Sequence, residues 1–122
     1  MSWDADLIDV QRDICVGEWN YTHNTNRMAT KVLETCRYEV PRSWMDGDGS
    51  GTCWFKLLDS QKGDESLAFL DLIIGGLMEA PSLFREMNPT NGWGDYDSFL
   101  AVLVSMRARA AKYPHCEWVV TG

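Results

Sequence analysis

Two histidines, four cysteines and 18 acidic residues are what this 122-residue chain offers for chemistry. Their spacing assembles little of it locally. Cys15, Cys36, Cys53 and Cys116 contain no CxxC pair, so a zinc site built from them, alone or with His23 and His115, would have to be gathered from distant points. No Ser or Cys sits in a GxSxG-type elbow or a cysteine-protease context, and neither GxGxxG nor GxxxxGK[ST] occurs. A hydrolase or transferase reading would rest on His23 as base, and requires a carboxylate within hydrogen-bond reach of it in a cleft. The paired carboxylates Asp95 with Asp97 and Asp46 with Asp48 fit a helix start and a polar loop as well as acid–base work. The expectation is a protein that is not an enzyme, with no catalytic residues, no metal and no cofactor.

The run Asp46-Gly47-Asp48-Gly49-Ser50-Gly51 opens like a calcium loop, with oxygens possible at positions one, three and five and the turn glycine at six. It then departs from one. Position eight is Cys53 and position twelve is Leu57, where an aliphatic residue and a bidentate Glu belong, so a solvated turn-rich loop is the favoured reading. The tract Glu18-Trp19-Asn20-Tyr21-Thr22-His23-Asn24-Thr25-Asn26 is the densest set of hydrogen-bonding side chains. At a helix N-terminus it is able to hold a small polar ligand, although such residues more commonly cap the backbone and stitch down a loop. A second polar-aromatic corner, Asn91-Gly92-Trp93-Gly94-Asp95-Tyr96, begins with a pair that tolerates positive φ.

The elements that must position these corners are readable from periodicity. Residues 95–113 form the clearest helix: Asp95 and Asp97 crowd its start, Arg107, Arg109 and Lys112 its end, and Pro114 stops it. Tyr96, Phe99, Leu100, Leu103 and Met106 or Arg107 make its apolar stripe. Residues 24–38 predict a helix with Met28, Val32 and Cys36 on one face beside Ala29 and Leu33, capped by Thr22 or Asn24. Another helix starts near Asp64 or Ser66 and runs through Leu67, Leu70, Ile74, Leu77 and Met78. Gly75-Gly76 would weaken it unless a second element packs closely there. Pro81 opens a short helical turn through Met87. Imperfect alternation over residues 7–19 predicts one bent strand or a hairpin, and residues 116–120 a closing strand; the two ends are expected to pair. The fold class is therefore α+β: three main helices packed on a small antiparallel sheet formed from N- and C-terminal strands, in a single domain over residues 1–122.

Composition limits the partners. A formal charge of -7 repels phosphate backbones and anionic headgroups, so neither nucleic acid nor membrane is expected. The N-terminus does not read as a secretory signal, and the longest apolar stretch is far too short to span a bilayer; the expected location is cytoplasmic. Six tryptophans exceed the needs of a core this size. Trp93 and Trp118 are expected to close the core over the last helix, while Trp3, Trp44 and Trp54 are freer to form an aromatic, acidic contact surface.

Taken together, Asn20-x-Thr22-His23-Asn24-x-x-x-Met28-Ala29 and Asn88-Pro89-Thr90-Asn91-Gly92-Trp93-Gly94-Asp95-Tyr96 resemble a family of small uncharacterised proteins of bacteriophages and bacterial genomes. The resemblance covers residues 19–118 and brings no catalytic residue with it. It implies a phage-like accessory protein that acts by contact, modulating or inhibiting a host defence or replication component. The alternative is a module that binds or sequesters a small, nucleotide-like polar molecule. The residues expected to serve either role are Tyr21, His23, Asn24, Asn91, Trp93, Tyr96, Trp44 and Trp54, and a pocket shared by the two motif loops would favour the ligand module.

Overall fold

The computed structural model describes residues 2–36 and 54–121, with Trp54 known through its backbone. Strands β1 (Ser2–Asp9), β2 (Ile14–Thr22) and β3 (Glu117–Thr121) form an antiparallel sheet in the order β2-β1-β3. Helices α1 (Asn26–Thr35), α2 (Gly63–Glu79), α3 (Pro81–Glu86) and α4 (Tyr96–Lys112) make up the other layer, with 3-10 turns at His23–Thr25 and Trp54–Leu58. The α+β class and the pairing of the chain's two ends are as expected. Residues 7–19 belong to a hairpin and not to one bent strand, and β1 begins at Ser2.

Alternation sets the sheet's inner face. Trp3, Ala5, Leu7 and Asp9 of β1 are buried, and Trp118 and Val120 of β3 join them, because side chains two apart share a face. Asp13, at φ 54°, closes the hairpin. The register slips between Leu7 and Ile8, a bulge that leaves Val16 as the extra residue of β2.

Beneath the sheet, Phe55 joins the layers. Its ring stacks on Trp3 at 4.6 Å and meets Phe69 of α2 and Phe99 of α4 edge-on at 6.4 and 5.9 Å. Trp3 is therefore fully buried, a correction to its expected place on a contact surface: alternation puts it on the core face of the central strand. Trp118 is buried as expected, its indole N–H donating to Ser66 Oγ at 2.9 Å. The segment ahead of α2 runs along the outer edge of β3. Ser60 N–H donates to Trp118 O, Trp118 N–H to Gln61 O, and Val120 N–H to Asp59 Oδ1, all at 2.9 Å.

The helices follow their predicted signals with shifts of a few residues. Glu65 accepts from Lys62 N–H at 2.8 Å, so α2 starts at Gly63, one residue before the earliest expected position. Its buried stripe is Ser66, Phe69, Leu70, Ile73 and Leu77. Met78, expected on that stripe, is 60% exposed. In α1, Met28, Ala29, Val32 and Leu33 are buried while Cys36 lies exposed past the helix end. Leu100 of α4 is half-buried beside the stripe of Tyr96, Phe99, Leu103 and Met106. Arg107 turns to Asp71 of α2 at 2.9 Å.

The two glycines of α2 differ. A Cβ on Gly76 would lie 2.3 Å from Val32 Cγ1, whereas a Cβ on Gly75 meets nothing within 4 Å. Close packing of α1 explains Gly76 alone. Gly75→Ala is expected to raise unfolding free energy by about 0.5–1 kcal/mol; Gly76→Ala is expected to lower it by about 1–3 kcal/mol, because a stiff valine stands in the way. Urea denaturation of both variants checks the opposite signs.

On the outward face of β1, Asp6 stands across from Glu18 and two residues from Asp4. Partial burial, then Glu18 and Asp4, push its carboxyl pKa up. A carboxyl raised by folding contributes stability below its unfolded pKa, and that contribution is lost as pH rises through the folded value. Asp6→Asn is therefore expected to raise Tm by about 1–4 °C at pH 7, and the gain should vanish in thermal melts below about pH 4.

Candidate functional site

Two corners come together at one end of the sheet. The first is built where β2 runs out: Thr22 Oγ1 accepts the Asn24 N–H at 3.1 Å, which turns the chain into the 3-10 turn ahead of α1. Asn24 is not the cap foreseen as an alternative. The second is the loop between α3 and α4. Asn88 Oδ1 accepts from Tyr96 N–H at 2.8 Å, Asn91 Oδ1 from Trp93 N–H at 3.0 Å, and Asp95 Oδ1 caps α4 through Ser98 N–H at 2.7 Å. Gly92 and Gly94 have φ of 77° and 84°, a region other residues enter at a cost. Arg85 of α3 grips Asp97 of α4 at 2.9 and 3.3 Å, tying the loop's two roots together. Those bonds hold the Asp97 carboxyl below the usual carboxylate range.

The corners are joined directly. Tyr21 Oη accepts the Asp95 N–H at 3.3 Å and lies 2.5 Å from Ser98 Oγ, while the Asn24 amide donates to Trp93 O at 3.4 Å. Gly94 sits so near the first corner that a Cβ there would fall 2.5 Å from Thr22 Cγ2. Between the corners lies an open cleft of about 460 Å³ lined by Ser2, Asn20, Thr22, Asn24, Asn91 and Trp93. All six side chains are uncharged. Asp4 stands beside the cleft, its Oδ1 accepting from the Asn20 amide at 2.8 Å.

Of the expected site residues, Asn24, Asn91 and Trp93 line this cleft, and Tyr21 braces it from behind. Trp93 is 70% exposed, which corrects its expected role as a core lid: with glycine on either side, its backbone carries the indole away from α4. Tyr96 is buried, stacked against Phe84 at 6.2 Å, and its hydroxyl donates to Leu77 O at 2.7 Å. It is a core residue and does not face a ligand. His23 has Asn26 as its hydrogen-bonding neighbour, Nδ1 to Nδ2 at 3.4 Å, and its Nε2 is buried with no partner among the described residues. The carboxylate that a catalytic His23 requires is not among its partners in the described residues. Trp44 and the acidic glycine run at residues 46–51 fall outside the described residues, as does Cys53; Trp54 opens the 3-10 turn above α2. Among the described cysteines, Cys15, Cys36 and Cys116 are free and do not share one site.

Sequence reasoning passed over Ser2, whose place in the cleft follows from β1 reaching the chain's beginning and pairing Ser2 with Thr22. The signal was the alternation Trp3-x-Ala5-x-Leu7. It also passed over Asp9, a carboxylate on the core-facing row of β1 that lies 3.3 Å from His115 Nε2. No helix among the described residues is long and apolar enough to cross a membrane. Comparison with protein-family models, with curated proteins and with solved structures finds no match.

Tyr21→Phe removes one hydroxyl that serves both corners. It is expected to cost about 0.5–1.5 kcal/mol of stability and to speed amide exchange at Trp93 to Asp95 selectively. Uniform exchange rates across the chain in the variant would show that the hydroxyl does not pin the loop.

Proposed function

We propose that this protein is a binding module for a small, uncharged polar ligand with one flat apolar face, held in the cleft between the β2 corner and the Asn91 to Asp95 loop. The observation that carries the reading is the meeting of both motif corners around one concave surface, with an exposed indole on its rim. An indole held by a braced loop offers a flat apolar platform. Around it, the Asn24 and Asn91 amides and the Ser2 and Thr22 hydroxyls supply both donors and acceptors. That combination suits a nucleobase carried on an unphosphorylated sugar, or a pyranose ring.

Charge narrows the class. None of the six lining residues is cationic, and the chain carries a formal charge of -7. A di- or triphosphate entering here would lose its hydration and meet repulsion in place of a counter-charge. The nucleotide-like ligand is accordingly narrowed to its neutral part.

Contact with a host protein is the second reading, with the chain as a phage-type accessory factor. It rests on the same Trp93, an exposed aromatic anchor on an acidic protein, since interface hot spots favour tryptophan. The presence of an open cleft beside that anchor, in place of two closed caps, puts the ligand module first.

Titration calorimetry against a panel of neutral nucleosides and sugars, with matching nucleoside triphosphates, tests the proposal. A neutral member is expected to bind with Kd in the micromolar to millimolar range, about tenfold or more tighter than its triphosphate. Trp93→Ala, at a site exposed enough to leave the fold intact, is expected to weaken that binding about tenfold or more. Binding that survives Trp93→Ala, or a panel without any binder, overturns the ligand reading; capture of one stoichiometric protein through Trp93 would replace it with the second.

A further inference from the structure

At the end of the sheet opposite the cleft, three side chains with different donor atoms converge. Asp9 closes β1, and His115 and Cys116 immediately precede β3. The β1–β3 register pairs Ile8 with Glu117, and one step further places Asp9 opposite Cys116. Both lie on the core-facing row. His115 Nε2 is 3.3 Å from Asp9 Oδ2 and 3.8 Å from Cys116 Sγ, and the three donor atoms all lie within 4.8 Å of one another.

Two of those separations fit a tetrahedral coordination geometry. Four ligands arranged tetrahedrally around zinc, at about 2.0–2.1 Å for N and O and about 2.3 Å for S, stand about 3.3 Å apart for an N,O pair and about 3.6 Å for an N,S pair. The observed 3.3 and 3.8 Å lie close to both. A catalytic Cys-His-Asp relay needs the two imidazole nitrogens to serve different partners. Here the same Nε2 faces both neighbours, which is the arrangement for a shared ion and not for a relay.

The surroundings are built and not incidental. Asp9 is 7% exposed, on a row where the strand otherwise carries Trp3, Ala5 and Leu7. Its other oxygen accepts the Arg12 N–H at 3.2 Å, so the hairpin turn orients the carboxylate and leaves Oδ2 toward His115. Cys116 is fully buried. Its N–H donates to Tyr113 O at 3.1 Å and its carbonyl accepts from Gly63 at 2.8 Å, which fixes the thiol's backbone. An open cavity of about 390 Å³ reaches the cluster, lined by Asp9, His115, Glu117, Lys62 and the turn residues Val10 and Gln11. The charged groups near the donors are Arg12, whose Nε lies 3.9 Å from Asp9 Oδ2, and Lys62 and Glu117 on the cavity wall.

We propose that Asp9, His115 and Cys116 bind one divalent ion of the zinc class, through Oδ2, Nε2 and Sγ, with a fourth position open to this cavity. A mixed O,N,S donor set selects a borderline metal over calcium or magnesium, which take oxygen ligands. Cys116 gives its thiol proton to solvent on coordination, so binding releases a proton. The second donor cluster, Asp6, Cys15 and Glu18, is exposed or half-exposed, and the Cys15 thiol donates to Gly17 O at 3.2 Å. It serves as the internal control.

The experiment is a cobalt(II) titration of the full chain, reduced and stripped of metal with chelator. One equivalent is expected to produce a near-ultraviolet thiolate-to-cobalt band with the intense visible bands of a tetrahedral site, both bleached by zinc. His115→Ala, where the side chain is 61% exposed and the fold should survive, is expected to weaken cobalt binding about tenfold or more. Asp9→Asn is expected to do the same, and Cys116→Ser to abolish the thiolate band; Cys15→Ser should leave the spectrum unchanged. Absence of a thiolate band in the unmodified chain overturns the proposal. So does an unchanged cobalt affinity in a folded His115→Ala, or a band that disappears with Cys15, Cys36 or Cys53.

Discussion

Strand β1 is bonded on both edges, to β2 and to β3, and the rest of the molecule is arranged around that constraint. A central strand has no edge left to satisfy, so its specificity comes from which face it buries. Slipping by one residue would exchange Trp3, Ala5 and Leu7 for Asp4, Asp6 and Ile8 on the core side. The Trp3–Phe55 stack under the sheet would be lost with them. Because the hairpin and the terminal strand both take their register from β1, that single alternation also decides what lies at the strand's ends. Ser2 falls beside Thr22 at one end, and Asp9 beside Cys116 at the other.

The two polar regions differ in how they are held. At the cleft, side chains bond across the junction between the end of β2 and the loop ahead of α4: Tyr21 to Asp95, Asn24 to Trp93 O, with Gly94 allowing the approach. Its neutral groups, three at strand ends and three on the turn and loop, need no counter-charge. At the other end, donors of three kinds are fixed by strand register and by a turn, in a place where an ionisable group is half enclosed by apolar packing. Rigid placement with mixed donors is the arrangement that coordination chemistry rewards, whereas the cleft offers uncharged hydrogen-bonding groups beside one aromatic plane.

Helix positions were legible in the sequence because their end signals are local. Asp95 caps α4 and Pro81 opens α3 as their chemistry requires. The stripes were less legible. Ser66 of α2 is buried where the Trp118 indole donates to it, and Met78 is exposed one residue beyond the fully buried Leu77; which face the neighbouring elements cover is not local information. Trp118 was placed correctly, but the placement of Trp3 and Trp93 failed for the same reason. Trp3 lies ahead of the alternation read from residue 7, yet it sits on the central strand; Trp93 has the hydrophobicity of a core residue, yet two left-handed glycines carry it out. The two motif corners were identified as polar and structured, but that they face one another depends on β2 passing alongside α4, a long-range contact that spacing along the chain does not encode.

The segment that runs from the 3-10 turn into α2 occupies the outer margin of β3 with backbone and carboxylate partners, through Ser60, Gln61 and Asp59. An unprotected margin of that kind invites a strand from another molecule and is a common route to cross-β association. Here a short irregular stretch, bridged to β3 between Lys62 and Glu117, takes the place that such a strand would fill. Growth of the sheet by recruitment of further copies is thereby blocked on the β3 side, so a crowded solution of this protein has one fewer path toward fibrillar assembly.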